Sequence, residues 1–296
     1  MNSTVFKKNK EWLFFFAAPA VIVFCIIIVI PLFQTLYYSL FDYNGIHIGK
    51  YVGLGNYIKM FHSRELSTSL INSIVYATIL LVYQVGIATV FAFILTQSKI
   101  KGKQFFRNVY FIPVLLSVSV VAQLWVQIYN GDFGLINHLS ASLGLDWQQN
   151  WLNQKWFSLF AVAFVEAWKG MGYILVIIYA GIRNIPDVYN EAAVIDGTTP
   201  AGKFRNITLP LTAPTIRICA VMCITNGFRA FDTTYLMTGG GPGIYTYNLT
   251  IMMYNAMIKK VAYGYGSAIA TFIVVICVGL MWVINKSTRK YDTIYD

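Results

Sequence analysis

The sequence predicts an all-α integral membrane protein with six transmembrane helices and a long cytoplasmic loop between the fourth and fifth. Three observations predict it. Hydrophobic residues make up 57% of the 296 and charged residues only 11%, more apolar surface than a single soluble core hides. The charges gather in short clusters between long apolar runs, as topology signals do. Six crossings also bring most of the basic residues to one side. The net charge of +10 is thereby explained without a nucleic-acid partner; lipid is the expected surrounding.

The first span, about residues 12–41, carries no charge from Trp12 to Phe41, well over the roughly 20 residues a crossing needs. Lys7, Lys8 and Lys10 precede it as in a signal peptide, but the apolar run outlasts an h-region and no polar cleavage segment follows promptly. The second span, 70–96, lies between Glu65 and Lys99, and the third, 109–129, between Arg107 and Asp132. The fourth, 156–182, holds Glu166 and Lys169 near its middle. The fifth, 214–236, is interrupted by Arg217, Arg229 and Asp232, and the sixth, 263–285, sits between Lys260 and Lys286. The whole chain, 1–296, reads as one transmembrane domain.

Loop charges arbitrate the doubtful fifth span. With six crossings the cytoplasmic side holds Lys7, Lys8 and Lys10, then Lys99, Lys101, Lys103 and Arg107, then Arg183, Lys203 and Arg205, and finally Lys286, Arg289 and Lys290. The other side holds Lys50, Lys59, Arg64, Lys155, Arg229, Lys259 and Lys260, about half as many. Removing the fifth span would send the basic C-terminus outside, so six spans with both termini cytoplasmic is the expected topology.

No catalytic residue, metal ligand set or cofactor site is expected on this chain. The only glycine-rich run, Gly239 to Gly243, lacks the Lys and Ser/Thr of a phosphate loop. The three histidines form no ligand pair at helical spacing, and Cys25, Cys219, Cys223 and Cys277 lie scattered in apolar stretches, as packing residues do.

The loop at 183–213 is long enough to have work of its own. Glu191, Ala192, Ala193, Val194, Ile195, Asp196 and Gly197 are followed after a spacer by Ile207, Thr208, Leu209 and Pro210. This predicts a short helix, a glycine stop, a second helical stretch and a proline turn. Small residues permit close approach, Gly197 permits a sharp turn, and Glu191 and Asp196 offer acceptors. Either a docking element or an amphipathic helix resting on the membrane surface has these properties.

E-A-A, three intervening residues, G, and then I-x-L-P resembles the signature loop of binding-protein-dependent ABC importer permeases. Ile185, Pro186, Asp187 and Tyr189, the run L-M-T-G-G-G-P from Leu236 to Pro242, and Y-G-Y-G-S-A from Tyr263 to Ala268 are similar to the carbohydrate-importing, maltose-type branch. The resemblance implies a subunit of the bacterial cytoplasmic membrane whose loop docks on an ATPase through Glu191, Ala192, Ala193, Asp196, Gly197, Leu209 and Pro210. It also implies a homologous second permease, a dimer of ATP-binding subunits carrying ATP and Mg, and an extracytoplasmic solute-binding protein.

Glu166, Lys169, Gly170 and Tyr173 fall at i, i+3, i+4 and i+7 on one helical face. Ionisable groups at that depth need partners or water. The face therefore lines a solute cavity or carries a structural Glu166–Lys169 ion pair. In the resemblance these positions match solute-contacting positions of the maltose permease; Gly170 and Tyr173 agree in type, while Glu166 and Lys169 depart. Tyr173 or Trp168 could stack on a sugar face. The same comparison points to Cys223, Gly227 and Ala230 on the fifth helix, with Asn226 and Arg229 beside them as polar replacements; Arg229 and Asp232 could equally pair. Gln84, Gln123 and Gln127 are further solute-contact candidates ranked below the fourth helix, with a role as inter-helix ties as the competing account. The run Gly239 to Gly243 shapes either a loop that touches the binding protein or a plain turn.

A secondary transporter is the competing class, but the halves of the chain show no convincing repeat. A membrane enzyme would need paired acids or His clusters within the spans, and these are absent from the sequence. A glycerophosphodiester is the alternative solute to a sugar or oligosaccharide.

Overall fold

The computed structural model describes residues 10–96, 101–145 and 147–288. Lys7, Lys8, Lys99, Arg289 and Lys290, used above for the charge parity, lie outside them. Five helices are long and apolar enough to cross a membrane, or six if one sharply bent pair counts as a single crossing.

The labelled helices are α1 (10–38), α2 (Arg64–Thr96), α3 (Lys103–Leu115), α4 (Val118–Ile128), α5 (Lys155–Arg183), α6 (Asp187–Ile195), α7 (Pro200–Arg229), α8 (Asp232–Thr238) and α9 (Tyr263–Thr288). Their contacts fall into two compact units, residues 10–62 with 253–272, and residues 63–252 with 273–288.

The first unit contains the one departure from an all-helical fold among the described residues, an antiparallel hairpin of β1 (Phe41–Tyr43) and β2 (Ile48–Tyr51). Asn44 and Gly45 make its turn: the Asn44 side chain accepts from the amides of Ile46 (3.0 Å) and His47 (2.8 Å), and Gly45 takes φ +92°. Asn56 fixes the start of the hairpin, donating to the carbonyls of Ser39 and Phe41 at 2.8 and 3.0 Å. Aromatic residues suit such a short sheet; Tyr38 stacks on Tyr43 at 4.6 Å.

In the second unit α5 is the central helix, packed against α2, α3 and α7. Glycines set the closeness of the crossings. At Gly172 a side chain would run into the Tyr110 backbone of α3, and at Gly227 of α7 into the Ala77 backbone of α2. Leu159, Val162, Leu175 and Ile178 of α5 are completely buried between these neighbours.

Three span expectations change. The third is broken: α3 and α4 meet at 100°, where α3 ends at Leu115, two residues past Pro113, and Leu116 turns extended with ψ 143°. Ser117 then starts α4 afresh by accepting from Val120 N. The fifth stretch starts earlier than expected, since α7 is continuous from Pro200. It also ends earlier, since Ala230 leaves the helical region with ψ 121° and α8 follows as a separate helix.

Candidate functional site

The polar interior starts from Gln84, which sits in a widened π-helical turn of α2, Leu81–Ile87. Such turns often mark functional sites. Its Nε2 donates to the carbonyls of Glu166 (3.1 Å) and Ala167 (3.3 Å) on α5, and its Oε1 accepts from Cys223 Sγ (3.2 Å) on α7. One buried carboxamide thus ties three helices. Of the two accounts the sequence left for Gln84, its contacts are those of a tie between helices.

Packing at and around that tie engages several of the residues expected at the solute site. A side chain at Gly170 would fall on the Gln84 carboxamide, so this glycine serves the approach of α2 to α5. Gly227 is buried against Ala77 and has no surface to offer a solute. Cys223 is likewise buried. Ala230 contributes a backbone acceptor: its carbonyl receives Asn248 Nδ2 (2.7 Å) and Thr250 Oγ1.

Glu166 and Lys169 are both half-buried and form no ion pair. Glu166 instead accepts from Thr233 Oγ1 of α8, and the Tyr76 hydroxyl, buried without a well-formed hydrogen bond, lies within electrostatic reach of Glu166 and Thr234. Lys169 has no hydrogen-bond or ion-pair partner among the described residues. Tyr173 is exposed, while Trp168 packs edge-on against Trp125 at 5.4 Å.

On α7, Asn226 and Arg229 are exposed. Arg229 does not pair with Asp232, because the chain leaves the helix at Ala230 and the i, i+3 adjacency is lost. Gln123 and Gln127 on α4 are exposed. Lys169, Tyr173, Asn226 and Arg229 therefore keep free polar or aromatic surface on two helices that pack together.

Sequence reasoning missed the residues that hold α8 and the following loop. Asn72 of α2 donates to the carbonyls of Tyr245 (3.0 Å) and Tyr247 (2.8 Å), and Ser73 Oγ accepts from Leu249 N (3.2 Å). Asn248 is 1% exposed and caps the short helix Leu249–Tyr254 by accepting from Ile251 N at 2.9 Å. Asn72 and Ser73 inside an otherwise apolar span were the available signal, since buried carboxamides must find partners.

The 183–213 segment builds α6 and its stop. Thr198 N donates to Ala193 O (2.9 Å) and Gly197 N to Val194 O (3.1 Å), with Gly197 at φ +64°. This is the paired Schellman closure that asks for glycine. Ala193 is buried, but Glu191, Ala192 and Asp196 are exposed, and Val194 and Ile195 are 78% and 85% exposed. Thr199 starts α7 by accepting from Gly202 N at 3.1 Å, with Pro200 in the first turn. Phe204 anchors it on Phe93 of α2, with ring centroids 4.7 Å apart.

The expected proline turn at Leu209 and Pro210 is corrected: both are half-buried within α7. A π-helical turn, Phe204–Thr208, immediately precedes them, and such a widened turn accommodates a residue that cannot donate an amide.

Residues 84–292 match the family described as "Binding-protein-dependent transport system inner membrane component". The chain belongs to this family. Among its relatives is a probable ABC transporter permease protein of Bacillus subtilis (strain 168), YurN, 36% identical, with 92% of this chain and 94% of the relative aligned. Another is the trehalose/maltose transport system permease protein MalF of Thermococcus litoralis, 30% identical over 90% of each chain. A solved bacterial ABC transporter involved in import of the acidic polysaccharide alginate shares the fold, with TM-score 0.82, 21% identity, and 97% of this chain and 99% of that one covered. As an inner membrane component, the family member is a membrane-embedded transport subunit.

Proposed function

We propose that this chain is one permease subunit of an ATP-driven importer that carries a sugar or oligosaccharide across the cytoplasmic membrane. In this reading α3 and α4 together make one broken crossing, giving six, with both termini and α6 cytoplasmic and residues 1–296 forming a single transmembrane domain. A homologous second permease completes the pathway, an extracytoplasmic binding protein delivers the solute, and a separate ATPase dimer holds ATP and Mg.

The observation that carries the reading is the capped, outward-facing α6. A helix with Val194 and Ile195 exposed beside Glu191 presents an apolar face with an acceptor at its edge, which a groove on a partner protein would cover. Glu191, Ala192, Asp196 and Gly197 form the docking segment, Ala193 seats it, and Leu209 with Pro210 joins it to α7. Rocking of α7 would move Asn226 and Arg229, while Lys169 and Tyr173 meet the solute from α5. Glu166 takes part through its contact with Thr233.

The test is uptake by proteoliposomes holding both permeases, the ATPase and the binding protein. Glu191→Ala should abolish uptake and co-purification of the ATPase while the chain still inserts; full uptake would refute the docking role. A glycerophosphodiester is the second reading, favoured by Lys169 and Arg229, two cations without ion-pair partners among the described residues.

A further inference from the structure

Where α4 ends, the second unit contains a cavity of about 500 Å³ that none of the residues expected to bind solute or the ATPase lines, although Gly241 and Pro242 of the glycine-rich run border it. Its polar lining includes Asp132, Asn150, Asn153 and Thr238, and Leu152 and Pro242 supply apolar surface. We infer that this cavity is a second ligand site, selective for a neutral, hydroxyl-rich molecule of the size of one or two saccharide residues.

The walls are fixed before any ligand arrives. Buried Asn137 joins two of them, donating to the carbonyls of Gly131 (2.9 Å) and Gln149 (3.0 Å) and accepting from the Trp151 ring nitrogen (3.3 Å). Asn130 closes the turn after α4 by accepting from the amides of Asp132 (2.9 Å) and Phe133 (3.1 Å). The third wall is held by Thr246, whose hydroxyl meets that of Thr238 at 2.6 Å. Preorganised walls lower the entropic cost of binding.

Three of the polar groups lining the cavity are unused. The Asp132 carboxylate and the Asn150 and Asn153 carboxamides make no side-chain hydrogen bond among the described residues. Carboxamides offer both donors and acceptors, which matches hydroxyls that donate and accept, and Leu152 and Pro242 can cover the C–H face of a ring. No Lys, Arg or His lines the cavity, so the Asp132 charge is uncompensated there and repels a uronate or phosphate.

One short helix borders both the cavity and the interior: Met237 lines the cavity and Thr233 holds Glu166, one turn apart on the same face of α8. The import reading enters only in naming a saccharide as the molecule that reaches the cavity.

Site-directed labelling tests it. The complete transporter complex carrying Gly131→Cys, a lining position where a side chain meets only ordinary contacts and which offers no ligand group of its own, is reacted in nanodiscs with a maleimide, with wild type as the blank for Cys25, Cys219, Cys223 and Cys277. Maltose or trehalose at ten times a Kd of about 1 mM should slow labelling about tenfold. Digalacturonate and sn-glycerol 3-phosphate at the same concentration should leave it within about twofold of the unliganded rate. Val126→Cys, also in the lining, is the second reporter should Gly131→Cys fail to assemble. No protection by either neutral sugar, or equal protection by the acidic probes, overturns the site. Sugar uptake without protection would reject the site alone, whereas protection in a complex that imports no sugar would reject the import reading alone.

Discussion

Two positions three residues apart on α5 behave as if they belonged to different proteins. Glu166 is engaged: Gln84 bonds its backbone carbonyl and Thr233 its carboxylate. Lys169 is half-buried, yet nothing among the described residues bonds it. The same split recurs on α7, where Gly227 is closed against Ala77 and Asn226 beside it is exposed. A shared helical face fixes which side chains are neighbours, but the helix packed opposite decides which of them remain open.

The largest effect should come from filling the closed side. Gly227→Leu drives a side chain into the Ala77 backbone, and overpacking of this kind costs about 1–3 kcal/mol or more. Thermal unfolding and size-exclusion profiles of the detergent-solubilised complex should show loss of the assembled form; a normal profile would mean that α2 and α7 can separate cheaply.

Thr233→Val should follow. It removes a donor from a half-buried carboxylate, which costs about 1–3 kcal/mol, and Glu166→Gln in the same chain should recover part of the loss. A double-mutant cycle on thermal stability reads that coupling directly; additive losses would show that Glu166 and Thr233 act independently.

Gly197→Ala should cost about 1–2 kcal/mol locally, because φ +64° disfavours a side chain although the space around Gly197 is open. It should weaken ATPase co-purification while leaving the bundle intact. Unchanged co-purification would mean that the Schellman closure is not needed for docking.

The smallest effect on stability belongs to the open side. Lys169→Met and Arg229→Gln should each stay within about 0.5 kcal/mol of wild type and yet change solute affinity or preference in uptake assays. Destabilisation by Lys169→Met comparable with that of Thr233→Val would erase the distinction between the two sides.

Much of this architecture was legible because apolar length and charge position are properties of the sequence itself. The α5 stretch from Lys155 to Arg183 nearly coincides with its apolar run, and Gly197 announced its own turn. What could not be read depended on partners far along the chain. Nothing near Gly227 says that Ala77 will meet it, and Gln84 gives no sign that it will bridge α5 and α7. Pro113 illustrates the opposite difficulty: proline warns of a break, but only the extended Leu116 and the cap from Ser117 turn it into a 100° corner. Pro210, which carries the same warning, stays inside a continuous helix because a widened turn precedes it.

The turn at Leu81–Ile87 also acts as a phase shift. An α-helix advances its side chains by about 100° per residue, and an i→i+5 turn accommodates one residue more than that winding would. A helical wheel drawn for residues 64–80 therefore points the wrong way when continued past Ile87, by about one residue's rotation. Deleting a single residue there would reset the angle, presenting Ala88, Ala92 and Phe93, now buried, in a different direction without altering the composition of the span.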